Sequence, residues 1–210
     1  MNNKIAIISN GNLDNISFHK KILKDVNLII CADGGANHTY KLKIEPDYII
    51  GDFDSIKKSI KAYYEKSNKT VLIHDPNQNY TDTEAAIKLA KVFKPDEIIF
   101  LCATGSRIDH TLANIFCLKQ TKNIKSSIIN SNNSVQLIEN TSINIEGKKD
   151  DIISIIPLTN TKDISYTGLK WSLKNYNTKL GWTGICNKMT KKIATISIKK
   201  GKLLIIKSKD

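Results

Sequence analysis

Residues 51–55 of this chain read GDFDS, two carboxylates one residue apart directly after the apolar run Tyr48-Ile49-Ile50. Gly, Asp and Ser are ordinary turn formers, so one reading of the stretch is simply a polar turn. The chemical reading is a divalent-cation site. Two residues apart in extended backbone, Asp52 and Asp54 project to the same side. Crowded carboxylates stay ionised together only beside a compensating cation. A ligand set of carboxylate oxygens without His or Cys favours a hard ion, Mg²⁺ first.

Four more apolar runs end in the same kind of residues: SNG (9–11), ADGGAN (32–37), HDPNQNYTD (74–82) and ATGSRIDH (103–110). Together these ends supply Asp33, Asp52, Asp54, Asp82 and Asp109. They also carry Arg107, the only arginine among 32 basic residues. Where lysine serves everywhere else, a single arginine points to a need for its planar fork, which grips an oxyanion through two parallel bonds. Gly34 and Gly35 let backbone approach a ligand closely and expose N–H groups at a helix start, which suits phosphate oxygens. Two readings of Asp82 stand side by side, metal ligand and first-turn dipole partner. His110, with Asp109 and Asn114, opens a helical stretch, as a helix-start polar group or a ligand contact. His19, His38 and His74 receive no role. Mg²⁺, an arginine and backbone amides around one crevice imply polyphosphate chemistry. Neither G-x-x-x-x-G-K-[ST] nor G-x-G-x-x-G is present, so the nucleotide site would lie outside the commonest motif classes.

The elements that must position these groups follow from hydrophobic patterning. KIAIIS, NLIICAD, DYIIGD, TVLIHD, EIIFLCAT and SSIINS are short, continuously apolar runs, as expected of strands buried on both faces. Helical segments lie between them, the clearest being TDTEAAIKLAKVF with a capping box at Thr81 and Glu84. Alternating strand and helix predicts an α/β N-terminal domain, residues 1–130, with a parallel sheet flanked by helices. Ligands bind such folds outside the carboxyl ends of the strands. From residue 134 to 210 the pattern becomes closely spaced strand candidates: VQLIEN, SINIEG, DIISIIPL, ISYTGLKWSL, KKIATISIKKG and KLLIIKSK. They predict a smaller all-β domain, an antiparallel β-sandwich or small barrel, with the boundary in NSNNS (130–134). Its two tryptophans, Trp171 and Trp182, each lie near a glycine and read first as packing residues. A Trp facing the crevice would offer its ring to an aromatic cation.

Composition narrows the class. A net charge of +12 invites a nucleic-acid reading. However, Ile, Asn and Lys make up about two fifths of the chain, a bias spread over the whole sequence and not gathered on one basic face. Nucleic acid is therefore not an expected partner. No apolar stretch approaches the roughly 18–20 residues of a membrane span, and the N-terminus lacks a signal-peptide core. A cytoplasmic protein is expected. Cys31, Cys102, Cys117 and Cys186 are scattered without a C-x-x-C pair, which predicts neither a zinc site nor disulfides.

In order, CADGGAN, PDYIIGDFDS, TDTEAAI, GSRIDHTLAN and GLKW resemble the thiamine pyrophosphokinase (thiamine diphosphokinase) family, over nearly the whole chain. The resemblance implies transfer of a pyrophosphoryl group from ATP to the thiamine hydroxyl, yielding thiamine diphosphate and AMP. It also implies Mg²⁺ dependence and a homodimer whose active sites lie at the subunit interface. Carried onto matching positions, Asp52, Asp54 and Asp82 would hold Mg²⁺, with Asp33 close by. Asp54 and Asp82 are the candidate catalytic carboxylates. Asp33, Gly34, Gly35, Ser106, Arg107, Asp109 and His110 fall on the ATP side. Gln78, Trp171, Cys186 and Asn187 fall on the thiamine side, with the Trp171 ring placed to stack on the cationic vitamin.

Three positions depart from the family pattern. Asn79 stands where an acidic residue is frequent, Ser106 replaces the second glycine of a Gly-Gly-Arg run, and Cys186 replaces a serine before Asn187. They put in question one metal or substrate contact, the backbone approach to phosphate, and a hydroxyl contact to thiamine. The competing functions are a metal-dependent nucleotide-sugar glycosyltransferase, which also uses D-x-D but needs a larger acceptor region, and a basic nucleic-acid-binding protein. A haloacid-dehalogenase-type phosphatase would carry its D-x-D after the first strand and not the third.

Overall fold

Six parallel strands carry the first part of the chain in the computed structural model, which describes residues 3–209. They are β1 (Lys4–Ile8), β2 (Leu28–Ala32), β3 (Tyr48–Gly51), β4 (Val71–His74), β5 (Glu97–Leu101) and β6 (Lys125–Ile129). Five α-helices connect them: α1 (Ile16–Leu23), α2 (Gly35–Leu42), α3 (Lys58–Glu65), α4 (Asp82–Val92) and α5 (Ile108–Cys117). The strands run β6-β5-β1-β2-β3-β4 across the sheet. β1 pairs in parallel with β2 on one side and β5 on the other. The chain thus winds outward from β1 to β4, then returns to lay β5 on the opposite flank of β1. That reversal opens a crevice at the carboxyl ends of β1 and β5.

Both faces of this sheet are covered, which is why its inner strands are apolar throughout. On one face Ala6, Ile8, Ile29, Cys31, Ile49, Ile99 and Leu101 pack with Leu23 of α1, Leu42 of α2, and Ile60 and Tyr64 of α3. α4 contacts β1, β2 and β3 and buries Ala86, Ile87 and Ala90. The edge strand β4 departs from the expectation of burial on both faces. Val71 is 50% exposed and His74 is exposed, because a terminal strand has one flank without a neighbour.

The chain divides into two compact units between Ser131 and Asn132. The second is an antiparallel β-sandwich. One layer runs β12 (Gly184–Lys188), β9 (Ile152–Pro157), β14 (Lys202–Ser208), β7 (Asn133–Glu139). The other runs β11 (Leu173–Thr178), β10 (Thr161–Thr167), β13 (Ile193–Lys200), β8 (Ser142–Glu146). In–out alternation on β9 and β13 turns Ile153, Ile155, Ala194, Ile196 and Ile198 into one core with Ile164, Tyr166, Leu203 and Ile205.

ISYTGLKWSL is not one strand, as its pattern predicts. β10 ends at Thr167, Gly168 takes φ +76, and β11 begins only at Leu173. β11 and β12 lie at the outer edges of their layers and expose most of their residues. They therefore carry little of the hydrophobic alternation by which strands are read. Among the described residues no helix is long and apolar enough to cross a membrane.

Candidate metal and nucleotide site

An open crevice of about 830 Å³ lies at the carboxyl ends of the parallel strands in the first unit. That is ample for a nucleotide-sized ligand. Its wall includes Asp33 and Gly34 after β2, Asp52 and Asp54 after β3, Gln78 and Asp82 after β4, and Ser106, Arg107 and His110 after β5. Gly35 and Asp109 are not part of that wall. A Cβ on Gly35 would sit 2.0 Å from the Ile8 carbonyl oxygen, so this glycine permits the close packing of α2 on β1.

Asp33, Asp52 and Asp54 bring carboxylate oxygens within 4.8 Å of one another. The backbone reaches this arrangement differently from the extended run that the D-x-D spacing suggests. β3 stops at Gly51, and Phe53 takes a left-handed conformation with φ +65, so the two aspartates converge across a bend in the chain. The Asp54 N–H donates to Asp52 Oδ1 at 3.1 Å, closing the turn. A short polar side chain can satisfy backbone in this way, and that competes successfully with continuing the strand.

Asp33 has a second task. Its Oδ2 accepts the Ser55 N–H at 2.8 Å and its Oδ1 the Ile56 N–H at 3.3 Å, which ties the 52–56 loop to the end of β2. Burial pushes the Asp33 carboxyl above the usual range, against the pull of those two bonds. Gln78 reaches the cluster from the next loop, donating from Nε2 to Asp52 Oδ2 at 3.3 Å.

Asp82 is the first residue of α4, set there by a complete capping box. The Thr81 hydroxyl accepts the Glu84 N–H at 3.3 Å, and Glu84 Oε2 accepts the Thr81 N–H at 2.9 Å. Burial first, then the charges of Asp33, Asp52 and Asp54, push its carboxyl up to about 6. Gly51 makes this crowding sterically feasible. At its φ of +151 a Cβ would lie 2.7 Å from Asp82 Oδ1 and 2.8 Å from Asp33 Cβ. Three clustered carboxylates without a nitrogen or sulfur donor, with Asp82 outside that cluster but near enough to feel their charge, fit a hard divalent cation.

On the far wall Arg107 pairs with its neighbour. Its Nε and Nη2 donate to Asp109 Oδ1 and Oδ2 at 3.2 and 2.5 Å, and the guanidinium holds the Asp109 carboxyl down to about 2. Asp109 thus takes up the Nε–Nη2 edge of the guanidinium and fixes how it is oriented. Ser106 is not among the described residues with left-handed backbone, so the local chain path does not require the glycine it replaces. Sequence reasoning overlooked three supports. Thr111 Oγ1 accepts the Gly105 N–H at 3.1 Å, Asn114 Nδ2 donates to the Ala103 carbonyl at 2.8 Å, and Ser9 and Thr83 share a hydroxyl bond of 3.1 Å. Thr83, Thr111 and Asn114 stood in the quoted motifs, but none of them was given a supporting role there.

The remaining candidates lie in the second unit. Trp171 is 55% exposed, with the Lys170 ammonium 4.9 Å from its ring centroid, so the indole already attracts a cation. Asn187 is buried and its carboxamide brackets residue 171. Oδ1 accepts the Trp171 N–H at 3.1 Å and Nδ2 donates to the Trp171 carbonyl at 2.7 Å. Cys186 is exposed at a register break in β12, with φ +59.

The sequence matches two family models. The thiamin pyrophosphokinase catalytic domain covers residues 19–129, and the thiamin pyrophosphokinase vitamin B1 binding domain covers residues 140–203. A thiamine pyrophosphokinase of Bacillus subtilis is 33% identical over 188 residues, covering 87% of this chain and 88% of that protein. Thiamine pyrophosphokinase 1 of rice is 28% identical, over 73% of this chain and 68% of its own length. The solved structure of a Bacillus subtilis thiamine pyrophosphokinase superposes with a TM-score of 0.90 at 30% identity over 99% of both chains.

Proposed function

Because this chain belongs to the thiamine pyrophosphokinase family, we propose a division of labour among its residues for that family's reaction. The enzyme is an ATP-dependent diphosphotransferase. It moves the pyrophosphoryl group of ATP to the thiamine hydroxyl and leaves AMP and thiamine diphosphate. Glycosyl transfer and nucleic-acid binding, the competing functions, account for neither of the two matched domain models.

The observation that carries the assignment of roles is the convergence of Asp33, Asp52 and Asp54 within 4.8 Å in the lining of the crevice, with the Asp82 carboxyl near enough to feel their charge. These carboxylates would hold Mg²⁺, which when bound neutralises charge on the polyphosphate. Gly34, Ser106, Arg107 and His110 line the ATP side, Arg107 gripping phosphate through the fork that Asp109 orients. Gln78 and Trp171 serve thiamine, the exposed indole stacking on its cationic ring, with Asn187 fixing the backbone that carries it. Asp82, whose carboxyl is pushed up to about 6, accepts the proton of the attacking hydroxyl, with Asp54 as the other candidate. Positioning and charge neutralisation supply most of the acceleration.

The first unit is the ATP- and metal-binding domain and the second the thiamine-binding domain, in a cytoplasmic homodimer. One subunit's carboxylates then work with the partner subunit's thiamine-binding face. Exposed apolar side chains on both units, Ile108, Leu112 and Phe116 on α5 and Leu180 and Ile185 in the second, are surface that such an association would cover. Asp54→Asn is expected to lower turnover about 100-fold or more while leaving the circular dichroism spectrum unchanged. Near-native turnover in that variant would remove the metal assignment.

A further inference from the structure

Three strands of the α/β unit leave the sheet through a left-handed residue: β2 at Asp33, β3 beyond Gly51 at Phe53, and β5 at Cys102. Asp33 and Cys102 are buried, whereas Phe53 is only partly so, and it is the bulkiest of the three. An aromatic residue adopts this backbone region only when its surroundings enforce it. Here the surroundings are specific. The Phe53 ring packs against the main core of the unit. It lies 5.6 Å from the His74 ring, inclined at 34°, at the end of β4. The Lys61 ammonium of α3 stands 5.1 Å from the same ring centroid. The ring is therefore a wedge held by contacts to a helix side chain and a strand end, one residue from each of two carboxylates.

We propose that Phe53 is a positioning residue for the cation site: its anchored ring holds the bend that turns Asp52 and Asp54 toward a common point. The proposal deepens the reading above and rests on it. Without the wedge, the 52–54 turn retains its Asp54-to-Asp52 hydrogen bond but loses the tether that fixes where it points. Each carboxylate then samples a range of positions, and the cation must supply the ordering. The cost falls on metal affinity and on turnover, and not on recognition of thiamine.

The test is Mn²⁺ binding to the intact protein, followed by electron paramagnetic resonance of the free ion, for the wild type and five variants. Phe53→Asn and Phe53→Gly tolerate left-handed backbone but lack the ring. They are expected to weaken Mn²⁺ binding about tenfold, to lower kcat in Mg²⁺, and to leave KM for thiamine unchanged. Phe53→Tyr keeps the ring and should bind Mn²⁺ like the wild type. His74→Ala, on the exposed end of β4, removes one flank of the wedge without touching the turn. It should weaken binding by a smaller factor, and it keeps the test decisive if the Phe53 variants do not fold. Wild-type Mn²⁺ affinity in Phe53→Gly and Phe53→Asn, or in His74→Ala where those two are unfolded, would overturn the proposal. Failure of the underlying reading has a different signature: Asp54→Asn would bind Mn²⁺ as tightly as the wild type, and the role of Phe53 would fall with it.

Discussion

Asp82 carries a measurable conflict between stability and function. Its carboxyl is pushed up to about 6, so the folded protein binds a proton there more tightly than the unfolded chain does. The stability this contributes is fully present below about pH 4 and is lost as pH rises through about 6. The side chain is only half-buried, so screening by water reduces the effect to about 1 kcal/mol. Asp82→Asn, neutral throughout, is expected to raise the metal-free melting temperature at pH 7.5 by about 2–4 °C. The gap should close at pH 4, and it should also close in excess Mg²⁺, which favours the wild-type carboxylates. Equal melting temperatures for variant and wild type at pH 7.5 without metal would mean that the crowding is relieved in some other way.

At the scale of elements, the support behind Trp171 is open to test. Asn187 is buried and satisfies both backbone groups of residue 171, so Asn187→Ala leaves them without partners at a cost of about 1–3 kcal/mol. Urea unfolding measures that loss. Steady-state kinetics should show KM for thiamine raised about tenfold with KM for ATP little changed; equal changes in both would assign Asn187 to general stability. This support was not legible in the sequence, where Asn187 stood only as a residue shared with the family pattern. Other elements were plain. Thr81 and Glu84 announced the start of α4, and the Ile-rich runs announced the inner strands, because capping and two-sided burial leave signatures in composition. A turn at GDFDS was readable from Gly, Asp and Ser, but the left-handed backbone of Phe53 was not, since its ring contacts, His74 and Lys61, come from elsewhere in the chain. β11 and β12 were missed for the complementary reason that edge strands are selected weakly for apolarity.

Over the whole molecule, the chemistry is divided. The carboxylates, the arginine and the crevice belong to the first unit, and the exposed indole belongs to the second. If the working assembly is a homodimer that shares its sites, each inactive chain can supply what the other lacks. Mixing Asp54→Asn with Trp171→Ala under conditions that exchange subunits should then restore about a quarter of the wild-type sites, since half the dimers are mixed and each holds one intact site. No recovery, with subunit exchange verified, would place both groups of each site in one chain.

The measurement closest to the central claim is release of AMP from ATP and Mg²⁺, with and without thiamine. AMP formed only when thiamine is present, together with an equal amount of thiamine diphosphate, is the predicted result. ADP in place of AMP would contradict it, because it would mean transfer of a single phosphoryl group.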